Sequence, residues 1–167
     1  MKKKSEVRVE VPVAPIKVNV LTDVLEPQKF PWPQASGSVS ELTCIQVFEF
    51  VPGVLRGKFM DEVYRILVPG GKAAFRVPFY NTSAAIQDYA FAWPPLAEAS
   101  FCYFDKAQRE SIGLKRDIIC DFEVAFGYDV PPDIANKNTE TRDFNIRHYS
   151  NVVQALNVVL TKRISKG

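Results

Sequence analysis

Glycine is missing from the front of this chain: of its eight glycines none precedes Gly37. A glycine-rich turn, which lets backbone pass close to a bound molecule, is therefore excluded from everything before that position. Cysteine is nearly as scarce. Cys44, Cys102 and Cys120 make an odd count without short spacing, which fits neither a disulfide framework nor a zinc site. Reduced, buried thiols in a cytosolic protein are the expectation, and no metal site is expected. Histidine occurs once, at His148. No apolar run approaches the roughly 18 residues needed to span a bilayer. Met1 is followed by lysines and polar residues rather than the apolar core of a signal peptide, so a cytoplasmic protein without membrane contact is expected. A formal charge of +2 does not by itself imply nucleic acid. The basic run Lys2-Lys3-Lys4 reads as a solvated end, with residues 1–6 a disordered tail, rather than as a phosphate-binding arm.

What is present suits an ordinary globular domain. The chain is 167 residues long and 47% hydrophobic, enough to bury a core without staples, and a single domain over 1–167 is expected. Val7, Val9, Val11 and Val13 alternate with polar residues as a half-buried strand does, and Pro12 pushes that strand toward a sheet edge. Ile16 to Leu21 is a second short strand. Pro27, Pro31 and Pro33 keep the following stretch extended. Leu42 to Val51 is apolar on both faces, as in a covered parallel strand.

Leu55, Phe59, Val63, Ile66 and Leu67 recur at helical spacing, with Arg56, Lys58, Asp61, Glu62 and Arg65 on other faces, and Pro69-Gly70-Gly71 stops the helix. Lys72 to Phe79 alternates, with Ala73, Phe75, Val77 and Phe79 on one side. Ser83 to Phe104 is aromatic-rich and holds short helices and loops; Asp105 to Gly113 forms one more helix. Cys120 to Phe126 is a half-buried strand, Gly127 to Arg147 a polar loop, and Val152 to Thr161 the closing strand.

Several pieces in this order resemble class I S-adenosylmethionine-dependent methyltransferases. Phe30-Pro31-Trp32-Pro33, followed by Ser36 to Glu41, resembles the approach to the family's fourth strand, and Val47-Phe48-Glu49-Phe50-Val51 resembles that strand's end. Phe59 to Lys72, ending Tyr64-Arg65-Ile66-Leu67-Val68-Pro69-Gly70-Gly71-Lys72, resembles the helix and Pro-Gly-Gly turn before the fifth strand, and is the most specific segment. His148 to Lys162 resembles the last strand. The resemblance covers roughly Asp23 to Lys162. It implies an α/β fold: a partial Rossmann-like methyltransferase sheet, mostly parallel with an antiparallel final strand pair, and helices on both faces.

The resemblance also implies S-adenosylmethionine as cofactor, but the family's Gly-x-Gly turn has no counterpart here, nor has the acidic residue that binds the ribose. Where the family often has histidine after the strand-end glutamate, this chain has Phe50; after Asp88 come Tyr89, Ala90 and Phe91 instead of a second histidine. Methyl transfer asks mainly for alignment and sometimes a base, so the missing cofactor turn weighs more than the missing histidines.

Glu49 is the candidate catalytic carboxylate, placed at a strand's C-terminal end, where open α/β sheets hold their ligands; binding neighbouring backbone N–H groups is its alternative role. Asp23, Trp32, Phe48 and Phe50 are candidates for cofactor contact. Asp23 can equally form a turn, and the aromatic residues can equally pack in the core. His148 reads as a surface residue.

Three functions follow: a shortened, non-catalytic methyltransferase-like module for binding or assembly; a methyltransferase whose cofactor site is completed by a partner subunit; or a small nucleotide- or sugar-binding module. Losing the first strands would leave the fourth strand near an edge. Either Val7–Val13 or Ile16–Leu21 is expected to cover it, or two chains associate there. The aromatic region Phe91–Phe104, with Phe101 and Phe104, is a second candidate face for a homo-oligomer.

Overall fold

The computed structural model describes residues 14–24, 26–114 and 117–164; the strand expected at Val7–Val13, the lysine run and the tail at 1–6 lie outside the described residues. Strands β1 (Ile16–Asn19), β2 (Val39–Ile45), β3 (Leu67–Pro78), β4 (Phe122–Asp129) and β5 (Ala155–Lys162) form a five-stranded sheet in the order β1-β2-β3-β5-β4. The helices are α1 (Val20–Asp23), α2 (Gly53–Ile66), α3 (Glu98–Cys102), α4 (Lys106–Ser111), α5 (Pro132–Ala135) and α6 (Thr139–His148).

The fold is α/β and Rossmann-like, with one change of balance. β1 and β3 pair in parallel with β2, while β5 runs antiparallel to both β3 and β4. The sheet is thus mixed in equal parts rather than mostly parallel. β1 lies against β2 over Ile16–Asn19, so the edge next to β2 is covered from within the chain by the segment Ile16–Leu21 expected to do so, and β1 and β4 are the outer strands of the described sheet.

Local chemistry explains most boundaries. Asn19 ends β1 and caps the single turn α1, its Oδ1 accepting from the Leu21 amide at 3.0 Å. Helix α2 stops one turn earlier than Pro69-Gly70-Gly71. Its terminal carbonyls, those of Tyr64 and Leu67, accept from Lys162 Nζ at 2.7 and 2.8 Å, as expected for a cation at a helix C-terminus.

β3 then begins at once. Val39 pairs with Leu67 but Glu41 with Lys72, so residues 68–71 leave the ladder as a bulge. Gly70 sits there at φ +76°, and a Cβ on Gly71 would meet the Val68 carbonyl oxygen at 2.9 Å. Both glycines are required by this bulge.

Three expectations are corrected. The strand expected over Leu42–Val51 ends at Ile45: Gln46 takes φ 59°, which breaks the pleat, and Phe48–Phe50 form a 3₁₀ turn. The run stays apolar because Val47, Phe48 and Val51 are all buried by that turn. The polar stretch 127–147 is not all loop. β4 continues through Gly127 to Asp129, and α6 starts where the Asn138 side chain accepts from the Thr141 amide at 2.8 Å. α6 buries only Ile146, so no helical apolar stripe marks it.

The third correction concerns layers. Register places Leu42, Cys44, Ala73, Phe75, Val77, Leu156, Val158, Leu160 and Phe122 on one face of the sheet, all buried. Phe59, Met60, Val63 and Ile66 of α2, Phe101 of α3 and Ile146 of α6 join this same core. The opposite face shows Ile45, Ala74, Arg76, Ala125 and Val159, all exposed. Among the described residues, helices cover one face and not both.

Phe101 and Phe104 belong to the covered core, packing on Phe48 with centroids 5.5 and 6.4 Å away. They are therefore not available as a dimer face. The exposed aromatics of the region Phe91–Phe104 are Trp93 and Tyr103, with Tyr89 just before it.

Candidate functional site

At the C-terminal ends of β2 and β3 a cleft of about 550 Å³ opens, lined among others by Leu21, Gln46, Glu49, Phe50, Arg76 and Phe91. Each wall has a local cause. Leu21 comes from the capped turn after β1. Gln46 holds the left-handed conformation that ends β2, an unfavourable state for a side-chain residue of the kind that concentrates at binding sites. Glu49 sits on the 3₁₀ turn that follows.

Glu49 is 6% exposed, and its Oε2 is buried without a hydrogen-bond partner among the described residues. Burial pushes its carboxyl above the ordinary value, because a low-dielectric setting disfavours the charged form. The amides of Glu49 and Val47 and the cations of Arg56 and Arg76 oppose that rise in part. The same carboxylate, after burial itself, helps push the Cys44 thiol up, which leaves Cys44 a protonated, inert core residue.

The far wall is held by Arg56. This buried side chain donates to the carbonyls of Val51 (3.1 Å), Ala92 (2.9 Å) and Pro94 (2.7 Å) and lies 5.7 Å from the Phe48 ring centroid. The Ala92 amide also donates to the Glu49 carbonyl at 2.8 Å. Together these bonds fix the loop that carries Phe91, whose ring meets Phe50 edge-on at 5.0 Å. Burial lowers the Arg56 pKa while Glu49 raises it. On the opposite side Arg76 reaches Asp129, with Nε–Oδ2 2.9 Å and Nη2–Oδ2 2.8 Å.

Of the residues singled out from sequence, Glu49 and Phe50 reach this cleft. The other three sit elsewhere. Asp23 closes its own turn, accepting from the Asn19 amide (2.6 Å) and the Thr22 hydroxyl (2.9 Å). Trp32 is buried edge-on against Phe59 at 5.0 Å and donates from its amide to Glu62. Phe48 is the hub of the core. His148 is exposed and stacks on Phe144 at 4.2 Å.

Sequence reasoning missed Gln46, Arg76, Phe91 and above all Arg56, which helical spacing put on an outer face. Only its own burial and its bonds to three backbone carbonyls reveal its position, and periodicity carries no trace of that.

No family model matches the sequence, and no curated protein matches it. Solved structures do match. A SAM-dependent methyltransferase from Archaeoglobus fulgidus aligns over 77% of this chain and 62% of its own, with TM-score 0.52 and 9% identity. A SAM-dependent methyltransferase from Methanosarcina mazei aligns over 83% and 65%, with TM-score 0.49 and 13% identity. A putative methyltransferase seen in complex with the Trm112 activator from Haloferax volcanii aligns over 79% and 57%, with TM-score 0.45 and 16% identity. The chain thus spans less than two thirds of these structures' length. With its strand order, its Pro-Gly-Gly bulge and its strand-end cleft, the chain has the fold of class I S-adenosylmethionine-dependent methyltransferases.

Proposed function

We propose that this chain puts the methyltransferase fold to a non-catalytic use, as a binding or assembly module that keeps the strand-end cleft. One observation carries this reading. The strand that lies parallel beside β2 ends in Asn19-Val20-Leu21-Thr22-Asp23, a side-chain-capped turn, and Leu21 lines the cleft. A nucleoside cofactor held through its backbone contacts needs that turn to be bare. The cleft has room for S-adenosylmethionine, and Glu49 suits its positive charges, but this turn does not fit the group.

Calorimetric titration of the full chain with S-adenosylmethionine and, separately, S-adenosylhomocysteine tests the proposal. Neither ligand should bind below millimolar concentration. A micromolar Kd, about −8 kcal/mol, accompanied by methyl transfer to any acceptor, would replace it with an enzyme.

The open sheet face favours one second reading, a methyltransferase completed by a partner subunit. Parallel strand pairs are normally covered on both sides, and here, among the described residues, β1, β2 and β3 are covered on one. Under this reading S-adenosylmethionine binds only to a complex that buries Ala74, Ile45 and Val159.

A further inference from the structure

Glu49 poses a problem that the fold leaves unsolved. A carboxylate out of water normally needs an ion partner or several donors. The charged groups facing it come from each neighbouring element: Arg56 of α2 and Arg76 of β3, with the Cys44 thiol of β2 beside it. Both arginines are engaged elsewhere. Arg56 spends its donors on three backbone carbonyls, and Arg76 is paired with Asp129. Neither forms a salt bridge with Glu49 among the described residues.

The free Oε2 belongs to a residue lining the cleft, and a second carboxylate, Asp88, lines it too. The same cleft is lined by a pair of rings, Phe50 and Phe91, with centroids 5.0 Å apart and planes inclined at 64°. An acceptor-only oxygen needs N–H or O–H donors. Aromatic faces attract cations and stack on flat apolar groups. One kind of molecule answers all three features: a compact ammonium with several N–H donors, carried on an aromatic body.

We infer that the cleft binds an arylalkyl amine, its ammonium donating to Glu49 Oε2 and its ring lying against Phe50 and Phe91. This rests on the reading of the cleft as a binding site, though not on the absence of catalysis. The ammonium supplies the partner that the buried carboxylate lacks and so favours its charged form. A neutral ligand of the same shape brings no such compensation.

Benzylamine and benzyl alcohol, nearly isosteric and differing in charge, are titrated into the full chain by calorimetry in two buffers of different ionisation enthalpy. Benzylamine should bind at least tenfold more tightly, with a proton release that grows as the pH is lowered from neutral toward the carboxylate range. In Glu49→Gln, whose fold is checked by circular dichroism, both the preference and the proton release should vanish. In Phe91→Leu both ligands should weaken together while the preference persists.

Equal affinities, an amine preference that survives Glu49→Gln, or binding of neither compound would overturn the inference. Those outcomes leave the non-catalytic reading standing in its assembly form. Micromolar S-adenosylmethionine binding with methyl transfer would overturn that reading without touching the amine preference.

Discussion

The two faces of one sheet occupy different environments here. On one, Phe48 gathers Phe59, Phe75 and Phe101 with ring centroids 5.2 to 5.5 Å apart. On the other, a central row of Thr43, Ala74, Val159 and Ala125 is flanked by paired charges, Lys17 with Glu41 and Arg76 with Asp129. β3 writes this difference in its own alternation: Ala73, Phe75 and Val77 are buried, while Lys72, Ala74 and Arg76 are exposed. Such one-sided burial is usual for antiparallel sheets and unusual for parallel pairs. The stability of the described fold therefore rests on the covered face alone.

The largest expected effect tests that statement directly. Phe48→Ala removes the ring that four others touch, and truncating a buried phenylalanine typically costs about 3–5 kcal/mol. Chemical denaturation should show a loss of that size with an unchanged denaturant slope. A loss below about 1 kcal/mol, the scale of exposed truncations, would mean that the ring cluster is not the core.

Much of the covered face is legible in the sequence, because burial on one side of β3 and along α2 leaves a period of two and a period near four. The Phe59–Lys72 segment added the direction of the chain at its turn. The open face was legible in the same letters, since Lys72 and Arg76 alternate with the apolar residues. The family resemblance implies helices on both faces, and the alternation of β3 argues for cover on one.

The site was legible in part. Glu49 stood out as a carboxylate inside an apolar run, and the structure places it at the cleft. Arg56 did not, since a buried arginine bonded to carbonyls 36 and 38 residues away has no local signature. Gln46 carries its meaning in a backbone angle, which composition does not record. Phe101 and Phe104 looked the same as candidates for a surface or for a core, and only tertiary packing separates the two.

The cleft is where the two faces meet, with Val77 of one and Arg76 of the other among its walls, and pH sharpens the boundary. Burial raises the Glu49 carboxyl above its ordinary value near 4.5. Between those two values the folded chain binds more protons than the unfolded one, so Glu49 makes stability fall as pH rises through that window. Glu49→Gln removes this dependence. Its unfolding free energy relative to the parent should therefore shift in the variant's favour between about pH 4 and about pH 7. Denaturation curves that keep a constant offset across that range would show that Glu49 reaches water and belongs with the exposed side.

The smallest effect is the most discriminating for the open face. Val159 opposes Ala74 across β3 and β5 and is 39% exposed. Val159→Thr keeps the β-branched shape and adds a hydroxyl. On a face bathed by water the change should alter stability by no more than about 0.5 kcal/mol. Beneath a covering layer the same hydroxyl would be buried without a ready partner and would cost about 1–3 kcal/mol. If the loss reaches that range and grows with protein concentration, the face is covered by association in solution. If it stays small at every concentration, the purified chain carries this face bare, and Ala74 and Val159 remain free for whatever chain the second reading requires.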